Sequence, residues 1–258
     1  MRVLVVLAHP EPRSFNGVLA RTAVTVLEDA GHEVRLSDLY GAGFKAVADA
    51  DDFSGDLEDP GCFRLDREQT AAHRRGGLAA DIVAQQELVA WADLLVLQYP
   101  MWWFGPPAIL KGWADRVFTR GFAYLPGRKY DTGLLAGRTA MVSVTTGTSE
   151  DTYAPDGIDG AVLDVLWPVH NGLLRYTGFD VLEPFVTYAP RALDDAGRDA
   201  VLASWRERLS GLETDPRLFF HPAEDYGPDQ RLRPGVVPRS GFQHAVPGRT
   251  DASGPGAT

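Results

Sequence analysis

Three adjacent aromatic residues, Trp102, Trp103 and Phe104, follow an apolar segment at residues 93–98 and are enclosed by Pro and Gly. An apolar segment of this kind is typical of a buried strand. Loops at the carboxyl ends of parallel strands are where α/β sheets bind ligands. The aromatic residues therefore predict a wall for a large, flat, conjugated ligand. The alternative interpretation is a hydrophobic plug that covers the end of the sheet.

Two further loops carry polar groups at the ends of predicted strands. Residues 9–16 lead into a helix, whose first amides and positive dipole end favour anions, and Arg13 and Ser14 add a charge and a hydroxyl. This predicts a phosphate or pyrophosphate site, while simple helix capping by Ser14 or Asn16 is the alternative. Residues 145–153 supply amides, hydroxyls and a phenol that donates hydrogen bonds at neutral pH, although a Thr/Ser-rich turn is common.

An alternation of strands and helices must position these loops. The predicted strands are residues 3–8, 33–40, 93–98, 138–144 and 180–188, and the predicted helices are 17–30, 81–91, 107–118, 162–176 and 195–212. This order predicts an α/β fold with a five-stranded parallel sheet and helices on both faces. Residues 41–78 are predicted to be irregular. Residues 214–258, rich in Pro, Gly, Arg and Asp, predict an extended C-terminal arm with disorder at 251–258.

Composition excludes several classes of function. The formal charge of −10 on 258 residues argues against nucleic acid or a membrane surface as the main partner. The single cysteine, Cys62, predicts a cytoplasmic protein without an internal disulfide. The apolar start is too short for a signal peptide, and no apolar run approaches the ~20 residues that span a bilayer. Few Lys among many Arg, Ala and Gly suggest a bacterial genome rich in G+C.

The sequence motifs also exclude some chemistries. The sequence contains no His-Glu-x-x-His or Cys-x-x-Cys motif, so no metal site is predicted. The loop at residues 9–16 matches neither Gly-x-Gly-x-x-Gly nor the Walker P-loop, which disfavours a Rossmann dinucleotide domain and a nucleotide triphosphatase.

Short segments in order over roughly residues 1 to 220 resemble the flavodoxin-fold NAD(P)H:quinone oxidoreductases, the DT-diaphorase group. The segments are AHPEPRSFN at 8–16, SDLY at 37–40, DIVAQQ at 81–86, WFGPPAILKGW at 103–113, FAY at 122–124, TTG at 145–147, LWP at 166–168, and GF at 178–179 with VLEP at 181–184. The resemblance implies a flavodoxin-like catalytic domain at residues 1–213 and the arm at 214–258. It also implies a tightly bound flavin, FAD rather than FMN, and a homodimer with active sites at its interface.

The activity that the resemblance implies is two-electron reduction of a quinone in a ping-pong sequence. NAD(P)H passes hydride to flavin N5 and leaves, and the quinone then takes its place. Pro126 and Ala192 stand where the family has a tyrosine and a histidine at the mouth of the site. These two replacements suggest a polycyclic aromatic quinone as the acceptor. The choice between NADH and NADPH as the hydride donor stays open.

The resemblance also assigns roles to individual residues. In these assignments, the flavin phosphates and ribityl chain are held by His9, Ser14, Phe15 and Asn16, and the ring is flanked by Pro100, Met101, Trp102, Trp103 and Phe104. The pyrimidine edge of the flavin is bonded by Thr145, Thr146 and Gly147. Tyr153 lines the reactive region of the flavin, and Arg198 lies near its adenosine half. For nicotinamide or quinone, the stacking slot comprises Trp103, Phe104, Tyr124 and, from the partner chain, Tyr176.

Tyr153 and Asp159 are the predicted catalytic residues. Asp159 stands where the family has a histidine that balances charge on the flavin. An ionised Asp would oppose negative charge, so Tyr153 and the loop amides are expected to suffice. Three other functions stay open: a nitro or azo reductase, a flavin-binding regulatory or ancillary subunit of a membrane transporter, and a single-electron carrier.

Overall fold

A parallel sheet forms the centre of the computed structural model, which describes residues 1–239 and 244–245. The strands of this sheet are β1 Arg2–Leu7, β2 Glu33–Asp38, β3 Leu94–Pro100, β4 Thr139–Thr145, β5 Asp180–Val181 and β6 Phe185–Thr187. Their order is β2-β1-β3-β4-β5, with β6 also paired to β4, and every pair is parallel. The predicted five-strand core is thereby confirmed. The predicted disorder at 251–258 lies outside the described residues.

The last predicted strand, residues 180–188, is interrupted. β5 and β6 both pair with β4, but residues 182–184 between them leave the ladder. Pro184 has no N–H to donate, which favours a break at this position. The prediction of one continuous strand was therefore wrong, although both halves keep the predicted place at the sheet edge.

Helices cover both faces of the sheet, as predicted. They are α1 Phe15–Asp29, α2 Leu65–Arg75, α3 Ala80–Trp91, α4 Ala108–Val117, α5 Val162–Val165, α6 Trp167–Val169, a π-helix His170–Arg175, and α7 Asp195–Ser210. Short 3₁₀ turns are Ala50–Asp52, Tyr130–Thr132, Glu150–Tyr153, Leu212–Thr214 and Ala223–Asp225. On one face, Leu19 of α1 and Trp205 of α7 pack on Val5 and Val96. On the other, α3, α4 and the π-helix cover residues such as Leu97.

Helix α2 contradicts the prediction that residues 41–78 are irregular. It has few apolar positions and instead buries polar side chains. The Glu68 carboxylate accepts the Glu58 N–H at 3.0 Å, and Gln69 Nε2 donates to the Asp115 carbonyl at 3.2 Å. Because hydrogen bonds replace the usual apolar stripe, the helical period is absent from the hydrophobic pattern.

The predicted continuous helix over residues 162–176 is also wrong. Leu166 separates two short α-helices, and the π-helix follows. Pro168 lies in the first turn of α6, where proline starts a helix more readily than it continues one. The wider π-turn then delivers Tyr176 to the surface of the fold, and π-turns frequently occur at functional sites.

The C-terminal arm begins as an addition to the edge of the sheet. The Leu218 N–H donates to the Val181 carbonyl at 2.8 Å, and Glu183 N–H donates to Pro216 at 3.2 Å. Strand β7, Phe219–Phe220, then pairs antiparallel with β8, His244–Ala245. The arm therefore contains local order that its composition did not predict. None of the helices in the described residues is both long enough and apolar enough to cross a bilayer.

Candidate functional site

The loops after β1, β3 and β4 meet at the carboxyl edge of the sheet, as the strand pattern predicts. The Ala8 N–H donates to the Gln98 carbonyl at 3.0 Å, which joins the first loop to β3. The Met101 N–H donates to the Thr145 carbonyl at 2.8 Å, which joins the second loop to the third. The three predicted ligand-binding loops are therefore anchored to one another at their first residues.

The aromatic residues form a tight turn at residues 102–105, called here the aromatic turn. Trp102 and Gly105 exchange backbone hydrogen bonds of 2.9 and 3.0 Å. Trp103 and Phe104 between them have φ of 50° and 58°, as the central residues of a type I′ turn require. Side chains other than Gly, Asn and Asp seldom occupy this region, so each residue costs about 1–3 kcal/mol of strain.

This geometry directs the aromatic rings outward. Trp103 is 98% exposed and Phe104 is 52% exposed, whereas Met101 before the turn is buried. Rings that cover the end of a sheet as a hydrophobic plug would be buried, so that alternative is wrong. Backbone strain that holds two aromatic rings in solvent is characteristic of a binding surface.

The start of α1 combines a helix cap with free amides. Ser14 Oγ accepts the Gly17 N–H at 3.2 Å, so Ser14 caps the helix. Phe15 and Asn16 occupy the first two helical positions, whose N–H groups have no intrahelical partner. The predicted helix cap is therefore present, and the two N–H groups beside it stay available to an anion.

His9 uses one ring nitrogen within its own loop and leaves the other for a ligand. His9 Nδ1 lies 3.0 Å from the Glu11 backbone nitrogen and 3.1 Å from the Glu11 carbonyl oxygen, so the loop backbone engages Nδ1 in either tautomer. Burial lowers the pKa of His9, and the nearby Arg191 charge lowers it further. His9 is accordingly neutral at pH 7, and Nε2 is the ring nitrogen that stays available to a ligand.

Arg13 is less free than its position in the sequence suggests. Its Nε contacts the Glu11 carboxylate at 2.9 Å, and the hydrogen bond from Arg13 holds the Glu11 pKa at about 2. The charge that the sequence predicts for the anion site is therefore paired within its own loop.

The Asn16 side chain is committed to an internal bridge. Its Nδ2 donates to Thr145 Oγ1 at 2.9 Å, and its Oδ1 accepts from Gln98 Nε2 at 2.8 Å. The bridge connects the first loop with β3 and β4 and leaves the Asn16 backbone N–H for a ligand. Gln98 Oε1, Ser143 Oγ and Thr187 Oγ1 are buried nearby without a hydrogen-bond partner in the structure.

The third loop divides its groups between internal bonds and solvent. Thr145 and Thr146 are buried, and Thr146 Oγ1 donates to the Thr148 carbonyl at 2.8 Å. Gly147 is exposed, and a Cβ built on it meets nothing within 4 Å. The backbone at Gly147 is therefore the part of the predicted Thr145–Thr146–Gly147 set that is open to a ligand.

Tyr153 is a buried phenol beside a chain of hydroxyls. Its hydroxyl donates to Met101 Sδ at 3.5 Å, and burial raises its pKa, with Asp159 adding to the effect. Thr152 Oγ1 donates to Thr148 Oγ1 at 2.9 Å, and Thr148 Oγ1 donates to Asp159 Oδ2 at 3.1 Å. Tyr153 is therefore protonated at neutral pH, and Asp159 points into this hydroxyl chain.

Tyr124, Tyr130 and Tyr176 form a second aromatic surface, called here the tyrosine cluster. The Tyr124 and Tyr176 ring centroids are 5.5 Å apart, and those of Tyr130 and Tyr176 are 5.3 Å apart. Because Tyr124 and Tyr176 touch within one chain, assigning only Tyr176 to a partner chain does not fit the structure. Sequence reasoning missed Tyr130, and its place in a polar segment gave no signal.

The tyrosine cluster borders a cavity of about 440 Å³. Tyr124 and Tyr176 line the cavity together with Leu65, Phe118 and Leu173. The described lining contains neither Trp103 nor Phe104. Within one chain, the structure therefore does not bring together the two halves of the predicted stacking slot.

Arg198 lies at the first turn of α7. Its Nε donates to the Pro190 carbonyl at 3.4 Å, and its Nη1 contacts Asp195 at 3.2 Å. Helix α7 packs on α1, so Arg198 lies on the same face of the sheet as α1. In the described part of the chain, no group of three or more His, Cys, Asp or Glu could hold a metal ion.

Comparison with known proteins gives a consistent result. The family model Flavodoxin_2, described as a flavodoxin-like fold, matches residues 1–209. The NAD(P)H dehydrogenase [quinone] 1 of Cavia porcellus is 42% identical over 222 residues, which are 86% of this chain and 81% of that protein.

Two solved structures extend the comparison. The structure of a Klebsiella pneumoniae protein, provisionally named a quinone reductase, has a TM-score of 0.89 and 40% sequence identity to this chain. The match covers 93% of this chain and 96% of the Klebsiella pneumoniae chain. The general stress protein 14 of Treponema denticola, solved in complex with FMN, has a TM-score of 0.58 and 25% identity, covering 83% of this chain and 99% of its own.

Proposed function

The chain belongs to the Flavodoxin_2 family of flavodoxin-like proteins, and from that premise we propose that it is a flavin-dependent NAD(P)H:quinone oxidoreductase. The observation that carries the proposal is the strained, exposed aromatic turn beside the free start of α1. This pair of features suits a ligand with a flat ring at one end and phosphate at the other. The 42% identity to a quinone dehydrogenase over most of both chains supports the reaction.

The residues at the sheet edge fit a flavin. Free N–H groups at Phe15 and Asn16 and the Ser14 hydroxyl are donors for phosphate, and His9 adds one in the tautomer with hydrogen on Nε2. Buried Thr187 Oγ1 has no hydrogen-bond partner, which is a sign of an unfilled polar contact at this edge. When bound, a flavin accepts hydride at N5 from a nicotinamide and delivers it to a quinone.

We propose FAD rather than FMN as the flavin. Arg198 lies in the first turn of α7, which packs on α1, and its guanidinium would serve the outer half of a dinucleotide. The FMN complex of the Treponema denticola protein supports a flavin at this fold but not the larger cofactor. Extraction and identification of the bound flavin tests the choice.

The chain's own residues perform four tasks in this proposal. Trp103 and Phe104 stack against the incoming ring and exclude water, and near-contact stacking orients a hydride donor. The Gly147 backbone donates to the developing negative charge at the pyrimidine edge. Tyr153 stays protonated and donates a hydrogen bond at the reactive region. Asp159 accepts from Thr148 and thereby orients the hydroxyls beside Tyr153.

We further propose a homodimer in which each site uses residues of both chains. Trp103 is almost fully exposed, and the 440 Å³ cavity beside the tyrosine cluster is open. In a two-fold dimer, the aromatic turn of each chain can meet the tyrosine cluster of the other, which produces two equal sites. Exposed apolar surface of this kind marks interaction sites.

The experiment that tests the function is an absorption spectrum of the purified protein, followed by anaerobic addition of NADPH or NADH. We expect the two bands of a bound flavin, which bleach on addition and recover with a quinone. A colourless protein that takes up neither FAD nor FMN would contradict the proposal. A regulatory subunit or a single-electron carrier should oxidise little NAD(P)H with quinone present.

The acceptor class is tested by steady-state turnover. We propose a polycyclic aromatic quinone, so anthraquinones should have a higher kcat/KM than benzoquinones. A nitro or azo compound that exceeds every quinone would favour the reductase alternative. The lone Cys62 and the Arg-rich composition support a bacterial, cytoplasmic enzyme, and fractionation of the source cells tests that location.

A further inference from the structure

Asp131 connects three parts of the chain that are distant in sequence. It lies in the 3₁₀ turn Tyr130–Thr132. One carboxylate oxygen pairs with the Arg175 guanidinium at the end of the π-helix. The other oxygen accepts the Ala223 N–H of the C-terminal arm. Both oxygens are therefore used, and the Arg175 side chain is only 12% exposed.

Asp131 and Arg175 each stand next to a residue of the tyrosine cluster in the chain. Tyr130 directly precedes Asp131, and Tyr176 directly follows Arg175. Tyr130 has φ of 54°, a conformation that a bulky residue adopts only when its surroundings hold it. The Asp131–Arg175 pair therefore lies at the base of the contact between the Tyr130 and Tyr176 rings.

Close backbone packing makes the loop and the helix end one unit. A Cβ on Gly133 would lie 2.3 Å from the Thr177 carbonyl carbon, so only glycine permits this approach. The Leu135 N–H donates to the Thr177 carbonyl at 3.0 Å. A shift of the turn that carries Asp131 therefore moves the tyrosine cluster as well.

The arm is fixed to the same ion pair. The Arg175 guanidinium lies 5.7 Å from the Phe220 ring centroid, in the range of a cation–π contact. Within the arm, His221 Nδ1 contacts Asp225 Oδ2 at 2.7 Å, which stiffens the segment that carries Ala223. Arg175 is thus held between Asp131 on one side and the arm on the other.

We propose that Asp131 is a positioning residue that sets which acceptor rings the tyrosine cluster admits. By joining Arg175 to the arm, it fixes the spacing of Tyr124, Tyr130 and Tyr176. The adjoining cavity of about 440 Å³ lies in the usual range for small-molecule sites, roughly 300–1,000 Å³. The inference rests on the proposed quinone reduction, in which the tyrosine cluster contacts the acceptor.

The experiment compares Asp131→Asn with a control, Asp199→Asn, on an exposed position of α7. The flavin-loaded enzyme is assayed with NAD(P)H, a benzoquinone and an anthraquinone. We expect the ratio of the two kcat/KM values to change by roughly tenfold to a hundredfold in Asp131→Asn, chiefly through KM, because small displacements of positioning groups have effects of that size. The acceptor ratio and the rate of flavin reduction of the Asp199→Asn control should both match those of the unaltered enzyme.

A second variant distinguishes an altered acceptor preference from a loss of folding. Asp131→Asn alone leaves the Arg175 charge without its partner, whereas Asp131→Asn with Arg175→Gln removes both charges and should fold. The double variant is expected to show the same altered ratio. Amide hydrogen exchange should accelerate in residues 130–135, 170–178 and 219–226, and stay unchanged in α1.

Two results would overturn the inference. One is an acceptor ratio in both variants that equals that of Asp199→Asn, and the other is unchanged exchange at residues 170–178. Failure of the proposed function has a different signature, because the unaltered protein would then reduce neither quinone. In that case the exchange measurement alone decides whether Asp131 positions the tyrosine cluster.

Discussion

Replacing Trp103 separates the energetic strain of the aromatic turn from its function. Trp103 has φ of 50° and is 98% exposed, so removal of its ring forfeits almost no buried area. Trp103→Gly removes the left-handed strain, which is about 1–2 kcal/mol for an L-residue. Glycine also loses more backbone entropy on folding, by roughly 0.5–1 kcal/mol relative to Ala. Trp103→Ala removes the same ring but keeps the strain.

The comparison of the two variants gives the expected magnitude. The glycine variant should have a free energy of unfolding about 0.5–1 kcal/mol higher than the alanine variant. For a chain of this size, that difference raises Tm by roughly 1 to 4 °C. Both variants should lose about a hundredfold in kcat/KM with quinone, because the stacking ring is absent.

Urea unfolding of the flavin-free protein at low concentration measures the stability difference without contributions from ligand or partner. Quinone turnover is measured on the flavin-loaded protein. An alanine variant as stable as the glycine variant would refute the argument from strain. Turnover at the unaltered rate in both variants would refute a functional role for the Trp103 ring.

Three further outcomes are expected. Tyr153→Phe should slow flavin reduction by about a hundredfold at unchanged flavin content in a stopped-flow measurement. Because burial raises the Tyr153 pKa above its ordinary 10, the unaltered enzyme should keep this hydrogen bond up to pH 10. A decline of the flavin-reduction rate between pH 8 and 10 would contradict the role assigned to Tyr153. Glu11→Gln frees Arg13, so a fluorescence titration should show tighter FAD binding with a steeper salt dependence, and weaker binding would place Arg13 outside the phosphate site. Asn16→Ala leaves Gln98 and Thr145 without their partner, so the free energy of unfolding measured by urea denaturation should fall by about 1–3 kcal/mol. An unchanged unfolding midpoint would mean that the Asn16 bridge contributes nothing to stability.

The sequence predicted the loops of the site because the sheet follows simple rules. The buried strands have apolar runs, and parallel strands bring their carboxyl ends to one edge. Residues 9–16 and 102–105 accordingly lie where the pattern put them. The family resemblance named individual residues within those loops. The roles of these residues, the homodimer and the domain division at residue 213 stay proposals.

Features that depend on tertiary contacts left no pattern in the sequence. Helix α2 buries Glu68 and Gln69 through hydrogen bonds, and propensity cannot reveal partners that lie in other elements. The resemblance assigned Asn16 to the flavin phosphates and ribityl chain, but nothing in the local sequence indicated that its side chain bonds to Gln98 and Thr145. The left-handed conformation of Tyr130 is held by long-range packing, which local sequence does not encode.

The addition of residues 216–218 to the edge of the sheet has a consequence for synthesis on the ribosome. Until these residues leave the exit tunnel, the growing chain has every strand of the sheet but lacks the Leu218 N–H that later donates to the Val181 carbonyl at its border. Open strand borders invite pairing with other chains, which is a common start of aggregation. Residues 216–218, which are translated after every strand of the parallel sheet, therefore close this border in cis.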